Sequence, residues 1–196
     1  FPGSMAGYAV AEVLFGDGNP RGKLPSTFPS TVGQLPMAYN HKNTGRPLPE
    51  GGWYTKFRSN YMDVVNEPLY PFGYGLSYTT FEYGDLTLSA EEISAQQTVT
   101  ASITVKNTGK VAGEEVVQMY IRDLVGSITR PVKELKGFKR TTITAGQTQR
   151  VTVEIPVESL RYWDVETDSW MLENGNIEIL VGGASDNISL KTQVAI

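Results

Sequence analysis

The sequence has no cysteine and a single histidine, His41. The first absence removes disulfides, thiol nucleophiles and thiolate metal sites. The second removes any supported Ser-His-Asp triad and any multi-histidine metal centre. His41 itself reads as an exposed loop residue. No apolar run approaches the roughly 20 residues that cross a bilayer, so no membrane span is expected. Positive charge is in short supply: 17 Lys and Arg against 21 Asp and Glu leave a net charge of -4. That balance gives no reason to expect nucleic acid or an anionic membrane as partner. A signal peptide is also missing, but the chain opens on Phe1-Pro2-Gly3 instead of Met. An earlier part is therefore expected to precede it, and the missing signal says little about compartment.

Short catalytic patterns are equally scarce. Ser26, Ser59 and Ser77 have no G-x-S-x-G setting, so no nucleophile elbow is visible. Asp17-Gly18-Asn19-Pro20-Arg21-Gly22-Lys23 falls one residue short of a phosphate loop, has Leu24 where a hydroxyl is needed, and follows a helix instead of preceding one. It reads as a turn leading into a short strand around Leu24–Phe28. Asn187-Ile188-Ser189 matches a glycosylation acceptor but falls in a predicted strand. Lys133, Lys136, Lys139 and Arg140 form a basic run that outward-facing strand charges explain.

At 196 residues the chain has room for one large domain, or for a small domain plus part of another. Ser4 to Phe15 reads as a helix, with Ser4 as N-cap and Gly16 as the left-handed stop. Its apolar residues Met5, Tyr8, Val10, Val13, Leu14 and Phe15 surround most of the circumference, and Glu12 is its only charge. Such a helix needs neighbours on more than one side, and the next 65 or so residues offer few. Residues 30–67 lack periodicity, yet Trp53, Tyr54, Phe57, Tyr61 and Met62 are too aromatic for disorder. This segment is expected to lie against protein or ligand. Rings stacking on sugar faces with Arg58 donating to hydroxyls is one reading, and a packed surface loop is the other.

From Gly84 the hydrophobic period becomes two. Val99, Ala101, Ile103 and Val105 mark one strand and Val117, Met119 and Ile121 the next. Leu135 and Phe138 are expected core contacts of a further strand, followed by Val151, Val153 and Ile155 up to Pro156. Asp164 to Ser169 reads as a hairpin turn between Trp163 and Trp170, and Asn174-Gly175 as another hairpin. Ile177, Ile179 and Val181, then Ile188, Leu190 and Val194, complete about seven strands. The pattern predicts an immunoglobulin-like sandwich, and without a cysteine pair the fibronectin type III variant fits best.

Between the halves runs Pro68-Leu-Tyr-Pro-Phe-Gly-Tyr-Gly-Leu-Ser-Tyr-Thr-Thr-Phe81. Two prolines stiffen it, Gly73 and Gly75 bracket Tyr74, and its aromatic content suits a packed joint better than a flexible linker. This stretch resembles the junction near the C-terminus of glycoside hydrolase family 3 enzymes, in the subgroup with a fibronectin type III-like domain. FPGSMAGYAVAEVLFGDGNPRGKLPSTFP resembles the end of that family's α/β sandwich domain. VVQMYIRD and ITRPVKELKGFKR resemble the start of its fibronectin-like domain.

The resemblance implies a mostly β chain: an immunoglobulin-like (fibronectin type III-like) β-sandwich over residues 84–196, preceded by the C-terminal tail of an α/β sandwich domain over 1–67, with 68–83 as a packed interdomain junction. It implies the C-terminal portion of a retaining β-glycosidase, β-glucosidase first and β-xylosidase next, acting on terminal non-reducing β-D-glycosyl residues without a cofactor. Retention takes two carboxylates about 5–5.5 Å apart. Glu50, Asp63, Glu67, Asp164, Glu166 and Asp168 lie in loop-like surroundings, and none has a setting that aims it at a partner. In the family the nucleophilic Asp belongs to the preceding barrel and the acid/base Glu to an earlier loop, so no catalytic residue is carried over and the isolated chain is expected to be inactive. No metal site is expected. The partners implied are the upstream barrel and α/β sandwich domains and, in the intact enzyme, an oligo- or aryl-β-glycoside. Trp53, Tyr54 and Arg58 in the 50–62 loop are the candidate substrate contacts, and the compartment implied is periplasmic or extracellular. The alternative is a non-catalytic carbohydrate- or cell-surface-binding sandwich, whose aromatic face would need Tyr120, Tyr162, Trp163 and Trp170. An adhesive repeat protein has no support, since no internal repeat is present.

Overall fold

In the computed structural model, residues 3–49, 52–94 and 97–196 are described. Helix α1 spans Ala6–Phe15 and stops at Gly16, whose φ of 84° places it in the left-handed region and whose N–H reaches the Val13 carbonyl. Ser4 is not its cap: Met5 holds the N-cap position and no side chain caps the helix. No residue of α1 is buried, and Tyr8, Leu14 and Phe15 are 71%, 73% and 84% exposed. One of its few ties to the remainder is the Tyr78 hydroxyl, which donates to the Val13 carbonyl at 2.5 Å.

The predicted strand at Leu24–Phe28 is reduced to an isolated bridge between Phe28 and Tyr70, with Leu24 N–H bonded to the Tyr74 carbonyl and Gly73 N–H to the Leu24 carbonyl. Pro25, Pro29 and Pro71 have no N–H to donate, so a continuous ladder cannot form.

Nine strands follow among the described residues: β1 (Phe81–Leu88), β2 (Thr98–Asn107), β3 (Gly113–Asp123), β4 (Glu134–Ile143), β5 (Thr148–Pro156), β6 (Tyr162–Asp164), β7 (Ser169–Met171), β8 (Asn176–Gly182) and β9 (Ile188–Ala195). Seven form the sandwich, as the order β1-β2-β5 in one antiparallel sheet and β4-β3-β8-β9 in the other; β6 and β7 pair only with each other. Between the sheets lie the residues that the alternation selects. Val99, Ala101, Ile103, Val105, Val117, Met119, Ile121, Val151, Val153, Ile155, Ile177, Ile179, Val181 and Val194 are all buried in one cluster. Each such side chain removed from water contributes about 1.5–3 kcal/mol before chain entropy is charged against it.

Three expectations fail here. Phe138 is 65% exposed, not a core contact. It lies opposite Gln118 on the outer face, while Gly137 takes the inward position opposite Met119, and the register shifts between Met119 and Tyr120. Leu135, now opposite Tyr120, is half-buried. Asn174-Gly175 makes no hairpin, because β7 and β8 belong to different sheets; Gly175 instead exchanges backbone hydrogen bonds with Ile196. Asn187 precedes β9 and is exposed, instead of lying within the strand.

The outer face of β3 is covered by the segment that precedes the sandwich. Phe72 stacks on Tyr39 at 4.3 Å, and Tyr39 meets the ring of Tyr120 edge-on at 5.8 Å. Beneath them Gln118 Nε2 donates to the carbonyls of Gly73 (3.1 Å) and Gly183 (2.6 Å), and the Tyr120 hydroxyl donates to Gln118 Oε1 at 2.6 Å. Gly73, at φ 79°, has no room for a Cβ against the Gln118 amide. Burial above all pushes the Tyr120 hydroxyl well above the usual tyrosine range, so it stays a donor.

A cleft of about 420 Å³ runs along the same seam. There Lys23 Nζ lies 3.2 Å from Glu115, Arg21 pairs with Glu114 at 2.6 Å, and the Tyr83 hydroxyl donates to Glu115 at 3.1 Å. Burial, then the charge of Glu115, pushes the Tyr83 hydroxyl up as well. Asn19, in the same turn as Arg21 and Lys23, donates to the Ala112 carbonyl and accepts from Ser77 Oγ and Tyr78 N–H. The turn read at Asp17–Lys23 is thus a structural clasp.

Gly137 gives a test of the sheet-to-sheet spacing. A Cβ there would sit 2.6 Å from Val153 Cγ1. Gly137→Ala is expected to destabilise the sandwich by about 1–3 kcal/mol in urea titration, with an unchanged m-value.

Candidate functional site

Among described residues 30–67 the only regular element is a 3₁₀ turn at Val32–Gln34. So irregular a segment has few ladders to satisfy its backbone, and side chains must do it. Gln34 is 0% exposed and does most of this. Its Oε1 accepts from Ser30 N–H (2.6 Å) and Thr31 N–H (3.1 Å), while Nε2 donates to the carbonyls of Val65 (2.9 Å) and Glu67 (3.3 Å). The Tyr61 hydroxyl donates to the Gln34 carbonyl at 3.1 Å. The two ends of the segment are therefore held on one amide.

The tip is built in the same way. Asn66 accepts from Tyr61 N–H and donates to the Ser59 carbonyl at 2.9 Å. Ser59 N–H donates to the Arg46 carbonyl at 2.9 Å, and its hydroxyl lies 2.7 Å from that of Thr44. Arg58 N–H closes a turn on the Thr55 carbonyl, Phe57 adopts a φ of 66°, and Thr55 N–H reaches Asn60 Oδ1 at 3.2 Å. On this frame Trp53 and Tyr54 stand 56% and 52% exposed, and Arg58 is exposed beside them. Among the described residues nothing hydrogen-bonds the Arg58 guanidinium. Exposed rings and a free guanidinium on a hydrogen-bonded loop can stack on a ligand's apolar face and donate to its hydroxyls. Tyr61, by contrast, is half-buried and structural. Sequence reasoning found the aromatic loop through its composition but missed Gln34 and Asn66, which bear no local signature.

The aromatic face required by a binding module does not form. Tyr120 is fully buried, and Tyr162 has the Arg130 guanidinium 5.1 Å above its ring. Trp163 and Trp170 face each other across β6 and β7 but meet edge to face at 78°, not coplanar.

Nor do the loop carboxylates pair. Glu50 lies outside the described residues. Asp63, Glu67, Glu166 and Asp168 are exposed. Asp164 caps its own hairpin, accepting from the Thr167 hydroxyl at 2.7 Å and from the N–H groups of Thr167 and Glu166. Chiefly through the Thr167 hydroxyl, these bonds hold its carboxyl below the usual carboxylate range, which suits an ionised turn cap and not a proton donor near neutrality. Among the described residues no group of three or more His, Cys, Asp or Glu could hold a metal ion. His41 is exposed, with Nδ1 3.1 Å from the Lys42 carbonyl.

Known proteins resemble this chain along its whole length. A model of the glycosyl hydrolase family 3 C-terminal domain matches residues 1–78, and a model of a fibronectin type III-like domain matches residues 115–185. The periplasmic beta-glucosidase of Salmonella typhimurium is 48% identical over 183 residues, covering 93% of this chain and 24% of that protein. A beta-xylosidase of Formosa agariphila is 43% identical over 192 residues, 98% of this chain and 25% of that protein. The crystal structure of a beta-glucosidase from Listeria innocua in complex with isofagomine superposes with a TM-score of 0.93 at 39% identity, covering 100% of this chain and 27% of that one. The chain thus spans about a quarter of the length of the relatives it matches.

The Gln34 hub is open to a direct test. Gln34→Leu leaves two N–H groups and two carbonyls without partners, and is expected to raise tryptic cleavage after Lys56 and Arg58 roughly tenfold or more. The melting temperature of the sandwich should not change.

Proposed function

Because the chain belongs to glycoside hydrolase family 3, whose C-terminal region it matches, we propose that it completes and braces a retaining β-glycosidase acting on terminal non-reducing β-D-glycosyl residues. A β-glucoside is the first substrate to try and a β-xyloside the next. In this reading residues 1–67 finish the second catalytic domain, 68–83 form the packed junction and 84–196 are the brace. The barrel and α/β sandwich domains upstream supply both catalytic carboxylates, and no cofactor takes part. Trp53, Tyr54 and Arg58 reach the edge of the sugar site, where rings and guanidinium meet an oligo- or aryl-β-glycoside. The compartment is periplasmic or extracellular.

The observation that carries the reading is the surface of α1. Met5, Tyr8, Val10, Leu14 and Phe15 are each more than half exposed along one short helix. An apolar patch of this kind, continuous with a chain that its relatives extend, is a surface meant to be covered. The carboxylates of the described residues agree: none is posed as half of a catalytic pair, so chemistry must come from elsewhere.

Two measurements test this. The isolated chain should not hydrolyse nitrophenyl β-glucoside or β-xyloside, while the full-length enzyme should; turnover by the chain alone at the full-length rate would refute the proposal. Tyr8→Asp with Leu14→Asp should shift the unfolding free energy of the isolated chain by no more than about 0.5 kcal/mol, as exposed changes do. In the full-length enzyme the same pair should abolish soluble, active protein.

A further inference from the structure

The sandwich and the aromatic loop are joined by a short clasp. Tyr39 stacks on Phe72 at 4.3 Å, and its hydroxyl accepts the N–H of Leu135, at the start of β4, at 3.2 Å. Three residues before Leu135, Val132 N–H donates to the His41 carbonyl at 2.9 Å, and Lys42 bridges Pro131. The segment then runs directly to the loop's base: Thr44 meets the Ser59 hydroxyl at 2.7 Å, the Arg46 carbonyl accepts Ser59 N–H at 2.9 Å, and Pro47 bridges Ser59. Ser59 adjoins Arg58. A continuous run of short polar contacts therefore leads from β4 of the sandwich to the base of the guanidinium-bearing turn, with no flexible stretch between.

We infer that Tyr39 is a positioning residue, through which the sandwich sets the placement of Arg58 and its neighbouring rings. This rests on the proposed role of the loop at the edge of the sugar site. Among the described residues the buried apolar cluster lies in the sandwich, so the sandwich is the stiff side of the clasp and the loop is the side being held. Tyr39 couples them twice over. Its ring stacks on Phe72 and meets Tyr120 edge to face, and its hydroxyl accepts the Leu135 N–H of β4 just where the register shifts. A loop held this way loses less freedom when an oligosaccharide binds than a loose loop does. As a scaffold for the loop the clasp touches no reacting atom, so it should act on binding and not on the chemical step.

The test compares Tyr39→Ala, Tyr39→Phe and wild type. In the chain itself, hydrogen exchange at the Ser59 and Val132 amides should accelerate about tenfold or more in Tyr39→Ala. Exchange at Ile103 and Val105 in β2 should not change, which shows that the sandwich remains folded. In the full-length enzyme, KM for a β-linked oligosaccharide should rise about tenfold with kcat held within about twofold. Tyr39→Phe keeps the stack and should recover most of both effects. Unchanged exchange at Ser59 in Tyr39→Ala overturns the positioning role. Faster exchange with unaltered KM leaves the clasp standing and instead overturns the reading of the loop as a substrate contact.

Discussion

A buried side-chain amide standing in for a missing backbone partner is the interaction on which the rest of this structure depends. Among the described residues the chain before β1 has no sheet of its own, and an unpaired buried N–H or carbonyl costs about 1–3 kcal/mol. Gln34 answers for the two ends of the long loop. Gln118, projecting from the outer face of β3, answers for Gly73 in the junction and Gly183 in the β8–β9 turn. Asn107, at the end of β2, is 0% exposed and donates to the carbonyls of Val111 and Ile143 while accepting from Gly109 N–H and the Thr79 hydroxyl. A primary amide suits the task because it has both donors and acceptors in one plane, as the peptide it replaces does. Leucine of similar size would fill the space and leave every partner orphaned.

The sandwich was largely readable in the sequence because strand periodicity is a local property. Residues two apart share a face, so Val99 to Val105 and Ile177 to Val181 declare their burial without reference to anything else. What escaped notice is what depends on a distant partner. The Gln118 amide binds residues 45 and 65 positions away, and the Gln34 amide reaches 31 and 33 positions forward. Phe138 was misread because a register shift in β3 and β4 cannot be seen from either strand alone; the inward position went to Gly137, where the second sheet approaches too closely for any side chain. Asn174-Gly175 has the residues of a tight turn, but the strands on either side belong to different sheets. The aromatic loop was legible as composition, and its frame of Gln34, Asn66 and Ser59 was not.

Apolar burial divides the chain unevenly, and that decides which part shapes the other. Before Ile93, Pro71 is the only apolar side chain among the described residues that is buried. Fixing each residue's backbone costs about 1–2 kcal/mol, and a segment without a core cannot meet that cost alone. The described residues before β1 are therefore ordered by what they lie on: the Tyr120–Gln118 face, the Glu114 and Glu115 carboxylates, and the β4 edge at Leu135. The ion pairs add little by themselves where Arg21 is exposed, but Lys23 and Glu115 are mostly sheltered, and the Tyr83 hydroxyl gives the carboxylate a further donor.

It follows that the sandwich is a template as well as a brace. A domain that merely thickened the protein would need only a matching surface, and its outer face could be covered by any apolar residues. Here that face is polar and specific, with the Gln118 amide, the Tyr120 hydroxyl and the Gly183 carbonyl in fixed register, so the segment lying across it has a single alignment. A one-residue slip of Phe72-Gly73 would drive a side chain into the Gln118 amide and take the Gly73 carbonyl out of reach. Register at the junction fixes Phe72, Phe72 fixes Tyr39, and Tyr39 fixes where the loop departs from the sandwich. The polar network thus gives up some of the stability that an apolar interface would have provided, and in return it specifies one geometry for the residues that leave it.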